Sequence, residues 1–568
     1  MTEVKIEING EIYSVSPDES ILQIALRSGI DIPHFCYHED LPLESRCRAC
    51  LVEANGKVTT SCDLKAEEGL SVKTETPEIL NLRKTNLELL LAEHKERCPK
   101  CQEGLFCKVM ETMKKYGISG KEYKRPFIHL EPHKLCQAAE IDPNLCIACN
   151  NCVEICKKTG IGFLELKGGN AYTYAGETHE ENKDCVYCGQ CTVHCPVGAA
   201  REQSEIKEVE EALEDSNKTV IAQMAPSVRV SIGEEFGKPV GTELTKECYT
   251  AFRKLGFDQV FDVNTGADIT TIVEAEELVE RIKEGRDLPM FTSCCPAWVK
   301  FMEFYHPDLL HLLTSSRSPQ IHCGGVYKTW WAEKENIDPK NIVVVSFMPC
   351  TSKKYEARHE KLKINGLQPV DLVLTTREMG ALLKKHNIDL SDMEPGEADS
   401  LGKYSGAGAI YGASGGVMES ALRTAYYKIS GSELGKLDLQ SVRGMKGIKE
   451  AEVNIAGNIL KVAVVATMKN AAKIIEDIRN GKNKYDYIEV MACPGGCIGG
   501  GGQPIPTTDE IVKKRIASIY EMDSGMDLRK AHLNPIVIDL FENYISKLSE
   551  EERRALLETH YSPKNKYE

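Results

Sequence analysis

Two runs of cysteine limit what this chain can become: Cys146-x2-Cys149-x2-Cys152-x3-Cys156, and later Cys185-x2-Cys188-x2-Cys191-x3-Cys195 followed by Pro196. They belong to a wider pattern, because 23 cysteines occur in 568 residues. Most of them fall in tight groups or in a few loops further on. The chain starts MTEVKIEINGEIYSV, which alternates apolar and polar residues like a strand and has no apolar core of an export signal. In such a long chain without an export signal, disulfides are disfavoured and metal or redox chemistry is expected. The composition therefore points to iron–sulfur clusters. The length suggests about four structural units. A formal net charge of −15 argues against nucleic acid or an anionic membrane as the main partner. No uninterrupted apolar span is long enough to cross a bilayer, and a cytoplasmic location is expected.

The cysteine groups differ in how much they say. The two runs fit the bacterial two-cluster ferredoxin arrangement, in which the fourth cysteine of each run ligates the other cluster. Cys146, Cys149, Cys152 and Cys195 are thus expected to hold one 4Fe-4S centre, and Cys185, Cys188, Cys191 and Cys156 the second. The first run lacks the proline after its last cysteine, which leaves the ligands unchanged. Nearer the start, Cys36, Cys47, Cys50 and Cys62 follow C-x10-C-x2-C-x11-C. Four thiolates there suit a 2Fe-2S cluster, with a four-thiolate zinc site as the alternative. His94, Cys98, Cys101 and Cys107 form H-x3-C-x2-C-x5-C. That set could hold zinc or a third accessory 4Fe-4S cluster. The neighbouring groups favour iron, since redox-silent zinc would be idle in an electron path.

The chain divides accordingly. Residues 1–78 read as a β-grasp, 2Fe-2S ferredoxin-like domain, with a hairpin at Asn9-Gly10 and a helix over ESILQIALRSGI. Residues 79–125 read as a small 4Fe-4S domain with one histidine and three cysteines as ligands, whose helix starts at Thr76-Pro77 and runs to the next cysteine group. Residues 126–209 carry the two 4Fe-4S centres of a bacterial ferredoxin-like domain, and 210–568 read as a large α/β domain with parallel sheets. The whole is a multidomain chain of α+β and α/β units. In the last domain four short apolar runs each lead into a special loop: TVIAQMAPS, LPMFTSCC, NIVVVSFMPC and YIEVMACPGGC. Each reads as a buried strand of a parallel sheet. Ligands gather beyond the carboxyl ends of such strands, so cysteines far apart in sequence are expected to converge on one site. Those loops supply Cys294, Cys295, Cys350, Cys493 and Cys497, one thiol more than a cubane cluster needs.

These loops resemble those of the FeFe (iron-only) hydrogenases, and the resemblance covers nearly the whole chain. The order of the N-terminal groups is similar to the large, monomeric clostridial-type form with four accessory clusters. The resemblance implies that Cys295, Cys350, Cys493 and Cys497 bind the 4Fe-4S part of a six-iron H-cluster. Cys497 would bridge to a two-iron part carrying CO, cyanide and an azadithiolate. Cys294 would exchange protons with that group. Pro226, Ser227, Gln320 and Lys353 would contact its diatomic ligands, and Met348 and Met491 would pack beside it. Lys353 also has its own rationale, since a buried dianion without a cation is costly. The glycines of MACPGGCIGGGGQP allow close backbone approach, with N–H groups directed at sulfur.

The resemblance further implies a proton path from Cys294 through Glu274, a hydroxyl and Glu277, with Arg281 on the same helix face. The hydroxyl position carries Thr314, where serine is expected; threonine can still relay a proton, with less rotation. His322 and Cys323 depart from the plainer apolar residues of relatives and read as packed core residues, as do Cys136 and Cys248. The implied activity is the reversible reduction of protons to hydrogen by a ferredoxin-dependent enzyme. Low-potential ferredoxin or flavodoxin would be the electron partner, because no supported nucleotide fingerprint is present. Separate maturation proteins would make the two-iron part. Residues 91–130 hold nine Lys or Arg against five Glu, a basic island that could attract an acidic ferredoxin. The alternatives are a hydrogen-sensing or electron-bifurcating hydrogenase subunit, and a non-catalytic iron–sulfur assembly or electron-transfer protein.

Overall fold

The computed structural model describes residues 3–93, 108–119, 123, 130–135, 138–169, 172–435, 437–455, 457–482 and 484–567. His94, Cys98, Cys101 and Cys107, with the reading of them as a cluster site, lie outside the described residues, as do Cys136 and most of the basic island.

The first strands, β1 (Val4–Ile8) and β2 (Glu11–Val15), pair antiparallel around Asn9 and Gly10, whose φ angles are 54° and 90°. Positive φ at both central residues is what a two-residue hairpin needs to match strand twist. With β3 (Leu51–Ala54), β4 (Lys57–Thr60) and β5 (Ser71–Lys73) they form a five-stranded sheet in the order β2-β1-β5-β3-β4. The helix Ile21–Arg27 starts at a reciprocal cap between Ser20 and Gln23 and buries Ile21, Leu22, Ile24 and Ala25 on this sheet. The helix Pro77–Glu93 starts where expected, with Ile79 N donating to Thr76 Oγ1 at 3.3 Å.

The middle region has a small sheet built from β6 (His133–Leu135) and β7 (Ala139–Ile141), and a hairpin of β8 (Leu164–Gly169) and β9 (Tyr172–Glu177). The small sheet's third strand, β10 (Ala200–Glu202), pairs with β7. Each cysteine run passes into a short helix, Asn151–Lys158 or Gln190–Val193, through a left-handed residue, Asn150 or Gly189.

The strands that carry the loop cysteines divide between two sheets rather than joining one. β11 (Thr219–Met224), β12 (Gln259–Asp262), β14 (Ile342–Met348) and β15 (Leu372–Thr375) make an all-parallel sheet in the order β12-β11-β14-β15. β13 (Met290–Phe291), β16 (Ile448–Ile455), β17 (Asn458–Ala466) and β18 (Tyr487–Met491) make the other, in the order β13-β18-β17-β16. There β16 and β17 form an antiparallel hairpin, and the other pairs are parallel. The helix Val263–Glu284 packs against the helices Pro319–Val326 and Gly416–Ser430. Its first thirteen residues are all buried, which explains why it shows no clear polar face over that length. Among the described residues no helix is long and apolar enough to cross a membrane.

Candidate active site

The carboxyl ends of β11, β13, β14 and β18 open into one cavity. Cys294, Cys295, Cys350, Cys493 and Cys497 all line it, although they come from strands of both sheets. Pro226, Ser227, Gln320, Met348, Lys353 and Met491 line it as well. Burial pushes all five thiols above the usual range, Cys350 to about 11, and repulsion from neighbouring thiols adds to the shift at Cys294, Cys350, Cys493 and Cys497. A group of neutral thiols in an apolar hollow is a natural receptor for a metal that replaces their protons.

The polar groups are few and aimed. Lys353 Nζ donates to the Cys294 carbonyl at 3.1 Å and to Glu356 Oε2 at 2.8 Å. Burial works against its charge, but Glu356 outweighs burial and holds its pKa above the usual lysine value. Glu356 Oε2 also accepts from Gln320 Nε2 at 2.6 Å and from Ser318 Oγ at 2.9 Å. One carboxylate oxygen thus orients two cavity-lining side chains. Ser227 Oγ and Gln320 Oε1 are buried with no hydrogen-bond partner among the described residues. A hydroxyl left unsatisfied in a protein interior marks a place where a ligand acceptor belongs.

Glu274 and Glu277 lie three residues apart on the helix Val263–Glu284. Glu274 is buried, and burial raises its pKa to about 8. It is close enough to Cys294 to raise that thiol further. Glu277 Oε2 accepts from Thr314 Oγ1 at 2.6 Å and from Ser315 Oγ at 3.0 Å. Arg281 NH2 donates to Glu277 Oε1 at 2.5 Å and to the Leu313 carbonyl at 2.9 Å. The hydrogen bonds are interrupted on both sides of Glu274: its Oε1 accepts from Tyr487 OH, and its Oε2 has no partner among the described residues.

The second cysteine run abuts the cavity, with Cys188 among its lining residues. Gly501 makes this approach possible, since a Cβ there would lie 2.4 Å from Gly189 Cα. Cys146, Cys149, Cys152 and Cys195 surround a second hollow with Ile141, Leu166 and Val197. Cys185, Cys188, Cys191 and Cys156 influence one another electrostatically, as one thiol group does. In the N-terminal unit Cys36 Sγ lies 3.4 Å from Cys47 Sγ, and Cys62 Sγ lies 3.6 Å from Ser45 Oγ. The thiol of Cys50 hydrogen-bonds with Cys62, and that bond lowers its pKa to about 7 against the opposing effect of burial.

Comparison with known proteins agrees with this arrangement. Residues 218–501 match the family described as iron only hydrogenase large subunit, C-terminal domain. Residues 1–77, 83–122, 145–199 and 509–564 match, in turn, a 2Fe-2S iron-sulfur cluster binding domain, the NADH-ubiquinone oxidoreductase-G iron-sulfur binding region, a 4Fe-4S dicluster domain and the iron hydrogenase small subunit. Iron hydrogenase 1 of Clostridium pasteurianum is 38% identical over 98% of this chain and 99% of its own length. The chain belongs to the iron-only hydrogenases. The NADP-reducing hydrogenase subunit HndD of Solidesulfovibrio fructosivorans is 39% identical over 99% of each chain. The solved structure of the apo [FeFe]-hydrogenase HydA1 from Chlamydomonas reinhardtii superposes with a TM-score of 0.57 at 38% identity, covering 64% of this chain and 99% of that one.

The residues present fit the cofactor that an iron-only hydrogenase requires. The cavity offers thiols for iron, a free hydroxyl at Ser227, a buried cation at Lys353 and backbone bare of side chains. At Gly412 a Cβ would stand 2.7 Å from Ser227 Oγ, and at Gly496, where φ is 93°, 2.6 Å from Ser414 N. Sequence reasoning missed Tyr411, Glu356 and Tyr487. Glu356 had a weak signal, its i,i+3 spacing from Lys353. Tyr411 and Tyr487 had none, because nothing local tells a phenol that serves the site from one that only packs. His322 and Cys323 are buried in the core: the ring nitrogens of His322 lie 2.8 Å from Thr270 Oγ1 and 3.0 Å from the Leu557 carbonyl. Burial lowers the His322 pKa to about 3, so the ring is neutral.

Proposed function

We propose that this hydrogenase catalyses the reversible reduction of protons to molecular hydrogen. The observation that carries this reading is one cavity lined by Cys295, Cys350, Cys493 and Cys497, with Cys294 left over beside them and Cys188 also on its wall. The first four would hold the 4Fe-4S part of the H-cluster, and Cys497 would bridge to the two-iron part with its CO, cyanide and azadithiolate. When bound, that group supplies the redox-active iron at which protons and electrons combine. Ser227 would donate to a diatomic ligand, Lys353 would neutralise charge, and Met348, Met491 and Pro226 would exclude water. Gln320 would orient Lys353 and Glu356, since its N–H donors already serve Glu356 and the Lys353 carbonyl.

Cys294 would take and return protons at Sγ. Glu274 is largely protonated at neutral pH and would exchange its proton with Cys294. Thr314, Glu277 and Arg281 would connect Glu274 to solvent, with Arg281 holding Glu277 in place. The accessory centres would be one 2Fe-2S and three 4Fe-4S clusters, on the cysteines and on His94 as assigned from the sequence, supplying electron transfer. The four-domain division at residues 78, 125 and 209 belongs to the same reading, as do a monomeric, cytoplasmic protein and dependence on separate maturation proteins. Ferredoxin or flavodoxin would be the electron partner. Against that stands the similarity to an NADP-reducing hydrogenase subunit, which favours a second reading as part of a nucleotide-coupled complex. Infrared bands of bound CO and cyanide on the purified, matured protein, with hydrogen evolution from reduced ferredoxin, are expected. A protein free of such bands after maturation would overturn the proposal, and turnover with a nicotinamide donor alone would select the second reading.

A further inference from the structure

The two oxygens of the Glu274 carboxyl are not equivalent. Oε1 accepts a hydrogen bond from Tyr487 OH at 2.8 Å, and Oε2 is buried without a partner among the described residues. Tyr487 is fully buried on β18, a strand held between β13 and β17, so its ring has a fixed place. The nearby phenol of Tyr411 lines the cavity but is engaged elsewhere: its OH lies 2.9 Å from Thr271 Oγ1, which is itself 2.7 Å from Ser420 Oγ. Several charged and titratable groups act on the Glu274 carboxyl. They are Tyr487 and Glu489 on β18, Glu277 and Arg281 on its own helix, Tyr411, and Cys294.

We infer that Tyr487 is a positioning residue of the proton relay, pinning Oε1 of Glu274 so that Oε2 alone takes up and releases the transferred proton. A carboxyl that passes a proton straight through accepts it on one oxygen and gives it up from the other. With Oε1 held as an acceptor, both events fall to Oε2. The O–H bond formed there on the Thr314 side breaks again on the Cys294 side once Cys294 has given up its own proton, leaving a carboxylate on Glu274 and restoring the thiol from the thiolate. This rests on the relay reading given above, and it adds a residue that touches neither metal nor substrate.

The test uses the matured holoprotein and its Tyr487→Phe and Glu274→Gln variants. Infrared difference spectra between low and high pH identify the Glu274 carboxylic C=O band as the one that Glu274→Gln removes. In Tyr487→Phe that band is expected at higher frequency. Its titration midpoint should move to higher pH, because a hydrogen bond to the carboxylate is lost. The alkaline limb of hydrogen turnover should move with it, at unchanged iron content. A band and midpoint that stay in place in Tyr487→Phe overturn the pinning while leaving the relay intact. Full turnover in Glu274→Gln overturns the relay itself, and the inference with it.

Discussion

At the scale of single residues the site is a matter of what remains unpaired. Cys294 is the thiol beyond the number a cubane needs, and its carbonyl, not its sulfur, receives Lys353. Replacing it with alanine is expected to leave the iron content nearly intact. Hydrogen turnover should fall by about two to four orders of magnitude, the usual worth of a positioned proton donor. Iron analysis beside a turnover assay checks this, and full activity in Cys294→Ala would remove the assignment. Glu274 has a consequence for stability as well. Its folded pKa of about 8 stands above the ordinary glutamate value of 4.5, so the folded state binds more protons than the unfolded state between those values. The folded state therefore loses stability as pH rises through that window, by at most about 1.4 kcal/mol per pH unit. Glu274→Gln is expected to lose less thermal stability than the parent as pH rises from about 5 to about 8, read as the change in Tm. Parallel losses in both proteins would contradict burial as the cause of the shift.

At the scale of elements the decisive contact joins the two-cluster unit to the glycine-rich loop after β18. Arg377 ties them: its NH2 donates to Glu202 Oε2 on β10 at 2.6 Å and to the Gly501 carbonyl at 2.9 Å, and its NH1 to the Gln503 carbonyl at 2.6 Å. Burial would raise the Glu202 pKa, but Arg377 outweighs burial and lowers it below the usual value. That stabilisation is present above the ordinary glutamate range and is lost as pH falls through the depressed folded pKa. Arg377→Ala is expected to cost about 3–5 kcal/mol, because Glu202 stays buried without its cation. A denaturation midpoint near that of the parent would contradict this. Gly501→Ala should force the loop away from Gly189, since no backbone atom there can yield cheaply. Electron transfer from the reduced accessory centres should slow, read by rapid mixing. An unchanged rate would mean the close approach is not needed. The elements themselves were legible: Asn9-Gly10 gave a hairpin, the apolar spacing of ESILQIALRSGI gave a helix, Thr76 gave a helix start, and four apolar runs gave strands. Their distribution over two sheets was not, because a short buried strand carries no mark of which neighbour it pairs with.

At the scale of the molecule, the solved HydA1 structure covers 64% of this chain, so the rest has no counterpart there. Deleting residues 1–78 is expected to leave hydrogen evolution with a small reduced dye near the parent value and to slow it with ferredoxin. An equal fall with both donors would argue against the N-terminus as the point where electrons come in. If the basic island steers an acidic partner, ferredoxin-linked turnover should fall as salt is raised from low ionic strength, because screening shortens the reach of the attraction. A rate indifferent to salt would remove that idea.

The sequence by itself determined the ligand chemistry. Soft thiolates at fixed short spacings are a local property, so the cluster reading of Cys146 to Cys195 needs nothing beyond the sequence. Tertiary structure alone decided which polar groups meet around them: Glu356 under Lys353 and Gln320, Tyr487 on one oxygen of Glu274. Such meetings depend on how two sheets and a buried helix pack. Packing is a sum of many weak, non-local contacts, so no short stretch of residues records it.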